Sequence, residues 1–270
     1  MGGREVIGLI AGEGRLPPLL ASAARSLGHR VVAITIEGDG GAVAGVADAS
    51  YRAGFGEMQR IIDVLTSEGV RSVLVAGRVS RSRLVGEGDV AFRERLRALG
   101  DRGDQKVFRQ VVVDLLARAG ITVVSPLDLA GRLRVSEGVL TRSAPTDEER
   151  EDVRVGMRLA RAAAALELGQ TVVLKRGIVL AVEAAEGTDE TIRRGAAFAA
   201  GAVVAKAARP DQDPRFDLPV VGLQTIEAMA GSGARVLAVE AGATLLLDRD
   251  ECLALADRSG IAIVGVRVPV

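Results

Sequence analysis

The sequence predicts an α/β protein, with an N-terminal Rossmann-like doubly wound domain followed by a C-terminal domain of mixed α/β structure. In the first half of the chain, short apolar runs alternate with segments of helical periodicity, which is typical of a parallel sheet covered by helices on both faces. In the second half, Lys175-Arg176-Gly177 separates two strand-like runs and predicts a hairpin. This second domain is therefore expected to mix strand directions.

The elements of the N-terminal domain follow one another in a regular order. Apolar runs predict strands at 6–11, 31–36, 72–76 and 121–124, and helical periodicity predicts helices at 16–27, 58–65, 90–99 and 106–119. Gly28 follows the first helix and Gly77 follows the third strand, as expected where such elements end. We place this domain at 1–133, because the regular alternation stops there.

The C-terminal α/β domain is predicted at 149–270, after a polar and irregular linker at 134–148. Thr146-Asp147-Glu148-Glu149 has the pattern of a capping box and starts a helix. Strands are predicted at 171–174, 178–183, 203–206, 236–239 and 261–266, and helices at 188–200 and 249–258. The charged segment 207–219 is expected to be a loop, which is a common place for functional residues.

Composition argues against nucleic-acid binding. The 35 basic and 35 acidic residues leave no net charge that would attract a phosphate backbone. Five Phe, one Tyr and no Trp are too few for the aromatic platforms on which single-stranded nucleic acids stack. We therefore expect no nucleic-acid partner.

The scarcity of cysteine and histidine excludes several kinds of site. Cys252 is the single cysteine and cannot form an internal disulfide, and no Cys/His cluster exists to bind zinc. His29 is the single histidine and is expected to lie at a helix end, so no Ser/His or Cys/His triad can form. Cys252 lies among leucines and is expected to be a small buried side chain. The sequence also has no signal-peptide pattern and no apolar run of roughly 18 residues, so a cytoplasmic protein is expected.

Gly12-Glu13-Gly14 follows the first strand and precedes the first helix. Such glycines let backbone N–H groups approach a phosphate at a helix N-terminus. The match to a dinucleotide fingerprint is incomplete because Pro17 stands at the third glycine position, although Glu37 could bind a ribose. A tight turn without a ligand, a nucleotide or phosphate site, and a true NAD site all remain open.

The loop from Lys206 to Pro219 contains the densest cluster of residues that could take part in a reaction. Its carboxylates are Asp211, Asp213 and Asp217, and its cations are Lys206, Arg209 and Arg215. Carboxylates are good ligands for Mg²⁺, and Lys and Arg neutralise phosphate charge, so the loop suits cleavage of a phosphate ester or pyrophosphate. A solvated surface loop of paired charges is the alternative interpretation.

Further acids lie at the ends of predicted strands. Glu183 and Glu186 precede a helix that Thr188 or Asp189 would cap. Capping alone is one interpretation, and help from these acids or from the helix N-terminus in holding a phosphate or metal is the other. Glu240 repeats the arrangement, and a solvent-facing carboxylate is the simpler interpretation of it.

Together the motifs resemble the UDP-2,3-diacylglucosamine pyrophosphatases of the lipid A pathway over nearly the whole chain. The resemblance rests on Gly8-Leu9-Ile10-Ala11-Gly12-Glu13-Gly14-Arg15-Leu16-Pro17, Gly138-Val139-Leu140-Thr141, Gly169-Gln170-Thr171-Val172-Val173, Ala181-Val182-Glu183-Ala184, Glu186-Gly187-Thr188-Asp189, Gln212-Asp213 and Asp217-Leu218-Pro219. Each motif is weak alone, but their order and spacing are specific.

The resemblance implies a reaction and a set of site residues. Members of the family hydrolyse UDP-2,3-diacylglucosamine to UMP and 2,3-diacylglucosamine 1-phosphate (lipid X), using Mg²⁺ and a site between two domains. Mn²⁺ is an alternative metal. The family's Gln-Asp-x-Arg-x-Asp motif implies catalytic roles for Asp213, Asp217 and Arg215, with Asp213 favoured as the essential aspartate and Asp213 and Asp217 holding the metal. Substrate is expected to contact Gly12, Glu13, Gly14, Lys206, Gln212, Glu186, Gly187 and Thr188.

The resemblance also implies transient contact with the inner face of the cytoplasmic membrane, because the substrate is a lipid. A homodimer is one alternative for the oligomeric state. Two other functions stay open from the residues alone: an NAD-dependent oxidoreductase, based on the first glycine turn and Glu37, and a non-catalytic nucleotide-sugar binding protein.

Overall fold

The computed structural model describes residues 5–36, 40–54, 56–77, 105–216 and 218–267, and the chain divides into two compact units. The first unit ends at Ala130 and also contains Pro214–Phe216. The second contains Gly131–Asp213 and the chain after Phe216. Three of the sequence predictions, the helix at 90–99, the ribose ligand Glu37 and the site residue Asp217, lie outside the described residues.

The first unit is built around a parallel sheet. Its strands are β1 (Val6–Ala11), β2 (Arg30–Thr35), β3 (Ala49–Arg52), β4 (Ser72–Ala76) and β5 (Thr122–Val123), and its helices are α1 (Leu16–Ser26), α2 (Gly41–Ala44), α3 (Met58–Ser67), α4 (Gln105–Arg118) and α5 (Pro126–Leu129). The strand order is β3-β2-β1-β4-β5, and each pair runs parallel. This order is that of the first five strands of a dinucleotide-binding sheet.

Helices cover both faces of this sheet. On one face, Leu9 of β1 packs in a cluster with Leu20 of α1. On the other face, Val32 of β2 packs in a cluster with Ile61 of α3 and Leu116 of α4. Because side chains alternate across a strand, strands that are buried on both faces must be apolar at nearly every position. The doubly wound domain predicted from the apolar runs is therefore confirmed.

The second unit contains a mixed sheet. Its strands are β6 (Gly138–Val139), β7 (Thr171–Lys175), β8 (Ile178–Val182), β9 (Val203–Lys206), β10 (Val220–Val221), β11 (Val236–Glu240), β12 (Leu245–Leu246) and β13 (Ala262–Val266), and its helices are α6 (Asp147–Ala165), α7 (Thr188–Ala196), α8 (Leu223–Ser232) and α9 (Arg249–Arg258). The main sheet has the order β6-β13-β11-β9-β7-β8, while β10 and β12 form a small parallel pair. A 3₁₀ turn at Gly131–Leu133 opens the unit.

Strand direction changes three times along the main sheet. The strands β13, β11 and β9 run parallel to one another, whereas β7 is antiparallel to β9 and β8 is antiparallel to β7. At the far edge β6 is antiparallel to β13. The mixed α/β domain predicted from the hairpin is confirmed. The core lies on both faces of the sheet, with α6 on one and α7, α8 and α9 on the other.

The segment 134–148, predicted as a linker, belongs to the second unit. It contains β6, which pairs with β13, and the backbone N–H of Arg142 donates to Asp257 at 2.8 Å. It ends at the predicted capping box, in which Thr146 and Glu149 exchange hydrogen bonds at the start of α6. The capping box is confirmed, while the predicted domain bounds stay a prediction.

Some elements differ from those predicted. Helix α7 ends at Ala196 rather than residue 200, because the chain turns there toward Gly201, whose φ is +70°. The sequence analysis did not identify helix α8 or the short elements α2, β3, α5, β6, β10 and β12. Cys252 is fully buried, as predicted, and its Sγ donates to the Leu247 carbonyl. Among the described residues, no helix has both the length and the apolar character needed to span a membrane.

A buried carboxylate holds the hairpin between β7 and β8. The turn residues Arg176 and Gly177 both have positive φ, at 50° and 75°, as a two-residue turn with the twist of the strands requires. The Asp152 side chain on α6 is 2% exposed and accepts from the backbone N–H groups of both, at 2.8 and 2.7 Å. The hairpin is thus fastened to the helix beneath the sheet.

We predict that Asp152→Ala destabilises the protein by about 2 kcal/mol, because two charge-assisted hydrogen bonds to the turn are lost. Urea denaturation measures this loss, and amide hydrogen exchange should accelerate at Arg176 and Gly177. Glu151→Ala is the matched control on the same helix, since Glu151 is exposed and pairs with nearby Arg154. Equal unfolding free energies for the two variants would contradict the prediction.

Candidate functional site

Polar residues from several strands meet at one edge of the second unit's main sheet. Because β7 is antiparallel to β9, the first residue of β7, Thr171, lies beside the last residue of β9, Lys206. The chain leaving β8 reaches Glu183 at the same edge, since Val182 pairs with Val172. On the other side of β9, β11 ends at Glu240 next to the pairing of Val239 with Lys206. The sheet therefore gathers one cation and two carboxylates.

Lys206 is the most buried cation of this edge, at 8% exposure. Its Nζ donates to the Thr188 hydroxyl at 2.7 Å. The Thr188 hydroxyl donates in turn to Oε1 of Glu183 at 3.1 Å and accepts from the Thr171 hydroxyl at 3.4 Å. Because a buried charge needs compensation, this bridge to a carboxylate helps to explain why an ammonium group is tolerated there.

Glu183 is held from the other side by the residues that precede β7. Its Oε2 accepts from the Gln170 backbone N–H at 3.2 Å. Gly169 passes so close that a Cβ at this position would lie 2.3 Å from the Glu183 carbonyl oxygen. Only glycine permits this approach without displacement of the backbone.

The start of the charged loop is folded by the same region. The backbone N–H of Ala207 donates to the Gln170 carbonyl at 3.0 Å. The side-chain oxygen of Gln212 accepts from the Arg209 backbone N–H at 2.8 Å and from the Gln170 side-chain amide at 3.3 Å. Gln212, predicted to contact substrate, thus closes the loop immediately before Asp213.

Glu240 also holds this loop. Its Oε2 accepts from the Ala208 backbone N–H at 3.0 Å, and its Oε1 lies 3.9 Å from the Arg161 guanidinium. The side chain is 16% exposed. The interpretation of Glu240 as a solvent-facing carboxylate is therefore wrong, because its oxygens are used by a backbone amide and a cation.

Glu186 and Gly187 lie in the turn between β8 and α7. The Glu186 carboxylate contacts Arg194 and accepts from the Thr191 hydroxyl at 3.3 Å. Its own backbone N–H, followed by the Arg194 guanidinium, lowers the pKa of the Glu186 carboxyl from its ordinary value. Gly187 takes the N-cap position of α7 with φ of 83°. This carboxylate is therefore ionised at neutral pH and paired with a cation of α7.

The predicted catalytic motif is described only in part. Asp213 is half-buried and belongs to the second unit, whereas Arg215 belongs to the first and lies with its guanidinium carbon 5.9 Å from the Phe216 ring centre. The Ser125 hydroxyl donates to the Pro214 carbonyl at 3.0 Å. Asp217 lies outside the described residues.

The Gly12-Glu13-Gly14 turn joins β1 to α1, as predicted. Gly12 is buried and its N–H donates to Ala76 at 2.8 Å, while Glu13 and Gly14 are exposed. Helix α1 has no capping side chain and no acidic residue in its first turn, and Pro17 is near its start. The exposed turn before an uncapped helix is compatible with an anionic ligand. The prediction of a ligand between the two domains stays a prediction.

A divalent cation would find oxygen ligands in this loop. Among the described residues, no group of three or more His, Cys, Asp or Glu side chains is arranged to hold a metal ion. Mg²⁺ does not need such a group, because it binds through one or two carboxylates together with phosphate oxygens and water. The Asp213 carboxylate is a hard oxygen ligand of the kind that suits Mg²⁺ or Mn²⁺.

Sequence reasoning named Gln170 and Thr171 in a motif of the family resemblance but did not assign either residue to the site. Gln170 immediately precedes β7 and Thr171 is its first residue. The start of a strand lies at the carboxyl edge of its neighbour only when the two strands are antiparallel, so the sequence alone did not place these residues near Lys206. The hairpin before β8 was the available signal: it reverses the chain, so the start of β7 and the end of β8 must share one edge.

Comparison with known proteins covers both halves of the chain. Residues 6–133 match the model of the LpxI N-terminal domain, and residues 136–264 match that of the LpxI C-terminal domain. The UDP-2,3-diacylglucosamine pyrophosphatase LpxI of Caulobacter vibrioides is 33% identical over 96% of this chain and 97% of its own length.

Solved structures with partial similarity include N5-carboxyaminoimidazole ribonucleotide synthetase from Thermotoga maritima, at 17% identity and a TM-score of 0.25. The match covers 67% of this chain and 42% of that one. Pyruvate carboxylase from Rhizobium etli matches at 15% identity and a TM-score of 0.30, over 73% of this chain and 17% of its own. This chain thus spans less than half the length of these structures, and scores this low carry no argument about fold or function.

We predict that Gly169→Ala destabilises the protein by about 1–3 kcal/mol, because the new methyl group must displace the Glu183 backbone. Chemical denaturation measures the loss. Gly231→Ala is the matched control, since Gly231 lies in α8 with nothing within 4 Å of the added Cβ, and we expect it to stabilise by about 0.5–1 kcal/mol. The close approach of Gly169 to Glu183 would be refuted if both variants were more stable than the parent.

Proposed function

The chain belongs to the LpxI family, and on this premise we propose that it hydrolyses the pyrophosphate bond of UDP-2,3-diacylglucosamine in lipid A biosynthesis. The products are UMP and 2,3-diacylglucosamine 1-phosphate. Support comes from the pyrophosphatase relative, which matches 96% of the chain, and from the two domain models. The structural observation that carries the proposal is the buried ammonium of Lys206, held at a sheet edge from which the loop containing Asp213 departs.

Pyrophosphate cleavage requires neutralisation of phosphate charge and a positioned water. Lys206 and Arg215 are the cations that we assign to the phosphate oxygens, where positive charge stabilises the transition state of in-line attack. Asp213 is assigned to orient the attacking water, because a carboxylate accepts a hydrogen bond from water and directs its lone pair. Attack on the glucosamine-side phosphorus makes UMP the leaving group.

We further propose that the reaction uses Mg²⁺, with Mn²⁺ as a substitute, held by Asp213 and Asp217. When bound, such an ion supplies Lewis-acid stabilisation of the phosphate oxygens. The Gly12–Gly14 turn is proposed to bind a phosphate or the nucleotide, since Glu13 and Gly14 are exposed immediately before α1, which has no capping side chain. Glu186, Gly187 and Gln212 remain proposed substrate contacts from the family motif.

The lipid nature of the substrate supports contact with a membrane surface. We propose a cytoplasmic protein that associates transiently with the inner face of the cytoplasmic membrane, where an acylated substrate resides. The second unit exposes Leu166, Ile178 and Phe198, which are 72%, 66% and 72% accessible. Exposed apolar side chains of this kind can contact lipid. A homodimer stays an alternative for the oligomeric state.

The hydrolase explains the chain better than either alternative. An NAD-dependent oxidoreductase rested on Glu37, which lies outside the described residues, and on a glycine fingerprint interrupted by Pro17. A non-catalytic binding protein would show no turnover, so a single assay separates it from the enzyme.

We predict that the purified protein with Mg²⁺ converts UDP-2,3-diacylglucosamine to UMP and the acylated sugar 1-phosphate, identified by mass spectrometry. Hydrolysis in ¹⁸O-water should place the label in the sugar phosphate, because water attacks that phosphorus. Exhaustive chelation should abolish turnover and added Mg²⁺ or Mn²⁺ should restore it. Full activity after chelation would exclude the proposed metal, and binding without any product would exclude the enzyme.

We predict that Asp213→Ala lowers kcat by about 100-fold or more while substrate affinity is retained, because a group that acts in the transition state is lost and phosphate-binding cations remain. Steady-state kinetics and calorimetric titration of the inactive variant measure the two effects. Glu190→Ala on α7 is the control, since Glu190 is exposed and pairs with Arg193.

The aspartate assignment has two ways to fail. If Asp213→Ala keeps near-normal kcat and Asp217→Ala does not, Asp217 is the essential carboxylate. If both variants retain activity, the loop carries no catalytic aspartate and the site assignment is wrong.

A further inference from the structure

The Thr188 hydroxyl has all of its hydrogen-bonding capacity engaged by protein groups. A hydroxyl carries one donor and two acceptor lone pairs. The lysine ammonium of Lys206 and the Thr171 hydroxyl occupy the acceptor positions, at 2.7 and 3.4 Å, and Oε1 of Glu183 takes the proton at 3.1 Å. The Thr188 hydroxyl therefore has no free hydrogen-bonding position to offer a substrate, although the family motif places Thr188 among the substrate contacts.

The direction of this chain of hydrogen bonds is set by Lys206 and Glu183. Because an ammonium group can only donate, the hydroxyl must accept from Lys206, and its own proton is directed to Oε1 of Glu183. Glu183 cannot turn away readily, because the Gln170 backbone N–H holds its other oxygen at 3.2 Å and Gly169 packs against its backbone.

We propose that Glu183 is a positioning residue that acts through the Thr188 hydroxyl to orient the ammonium of Lys206 toward the scissile pyrophosphate. The proposal rests on the proposed hydrolase function and assigns these two residues a role in aiming the lysine rather than in holding substrate or metal.

The physical basis of this role is the rotation of the lysine ammonium group. An ammonium group has three N–H donors that turn together about the Cε–Nζ bond. The 2.7 Å hydrogen bond to Thr188 restricts that rotation and so helps to set the directions of the N–H groups of Lys206. Pre-oriented donors stabilise developing charge without rearrangement during the reaction, so the benefit falls on the chemical step more than on ground-state binding.

The test compares Thr188→Val, Thr188→Ser and Glu183→Gln in the full-length protein with UDP-2,3-diacylglucosamine. Thr188→Val keeps the side-chain shape and removes the hydroxyl, and we expect kcat to fall about tenfold with KM within about twofold. Thr188→Ser restores the hydroxyl and should recover kcat. Glu183→Gln should also lower kcat. The two carboxylate oxygens accept from the Gln170 backbone N–H and from the Thr188 hydroxyl, whereas the amide of glutamine has a single oxygen for these two donors.

A double-mutant cycle asks whether Glu183 acts through Thr188. Adding Glu183→Gln to Thr188→Val should lower kcat little further, because the link is already broken, whereas independent roles would multiply the two losses. Thr225→Val is the matched control, because the Thr225 hydroxyl on α8 donates at 2.9 Å to the carboxylate of Asp189, the residue next to Thr188 on α7. Its kcat should stay within about twofold of the parent.

Several results would overturn the inference. These are normal kcat in Thr188→Val, failure of Thr188→Ser to recover activity, multiplicative losses in the cycle, and a marked rise in the Mg²⁺ concentration needed by Glu183→Gln, which would make Glu183 a metal ligand. Circular dichroism melting of each variant checks folding, and Glu183→Gln carries the test if Thr188→Val unfolds. An inactive parent protein would refute the hydrolase itself and the inference with it, whereas an active parent with a fully active Thr188→Val refutes only the inference.

Discussion

The antiparallel direction of β7 is the constraint on which the candidate site depends. In a fully parallel sheet, only the residues that follow strands reach the carboxyl edge, and each crossover carries the chain back to the opposite edge. Here β7 enters from the carboxyl edge of β9, so Thr171 stands beside Lys206, and the hairpin returns β8 to the same place. The antiparallel β7 thus adds its own first residue to this edge, and the hairpin adds the end of β8. Both lie beside the ends of β9 and β11.

This convergence solves the problem of holding a cation inside a sheet. The Lys206 side chain is nearly buried at the end of β9, and a buried ammonium without compensation would be strongly destabilising. Glu183 supplies the opposite charge through the Thr188 hydroxyl, and the backbone before β7 fixes Glu183. The same backbone then receives Ala207 of the charged loop. Stability of the sheet edge and the direction of its charged groups therefore have a common origin.

The sequence predicted the architecture well because apolar periodicity reports burial. Strands β1, β2 and β4 are buried on both faces and read as continuous apolar runs, and the hairpin turn predicted the mixed second sheet. Helix α8 was missed because its two flanking glycines and short length give a weak periodic signal. The two-residue strands β6, β10 and β12 owe their pairing to neighbours distant in sequence, so no local pattern could indicate them.

The site was predictable in composition but not in the division of roles among its residues. Gln212, Thr188 and Asp213 belong to short motifs that look alike as polar clusters in the sequence. The structure engages the side-chain oxygen of Gln212 in closing the loop and the hydroxyl of Thr188 in bridging Lys206 to Glu183. A hydroxyl whose hydrogen-bonding positions are all filled by its own protein, as that of Thr188 is, can position a reactive group but has little left with which to bind a ligand. Such saturation depends on partners 5 to 18 positions apart, so it becomes visible only when the sheet has brought them together.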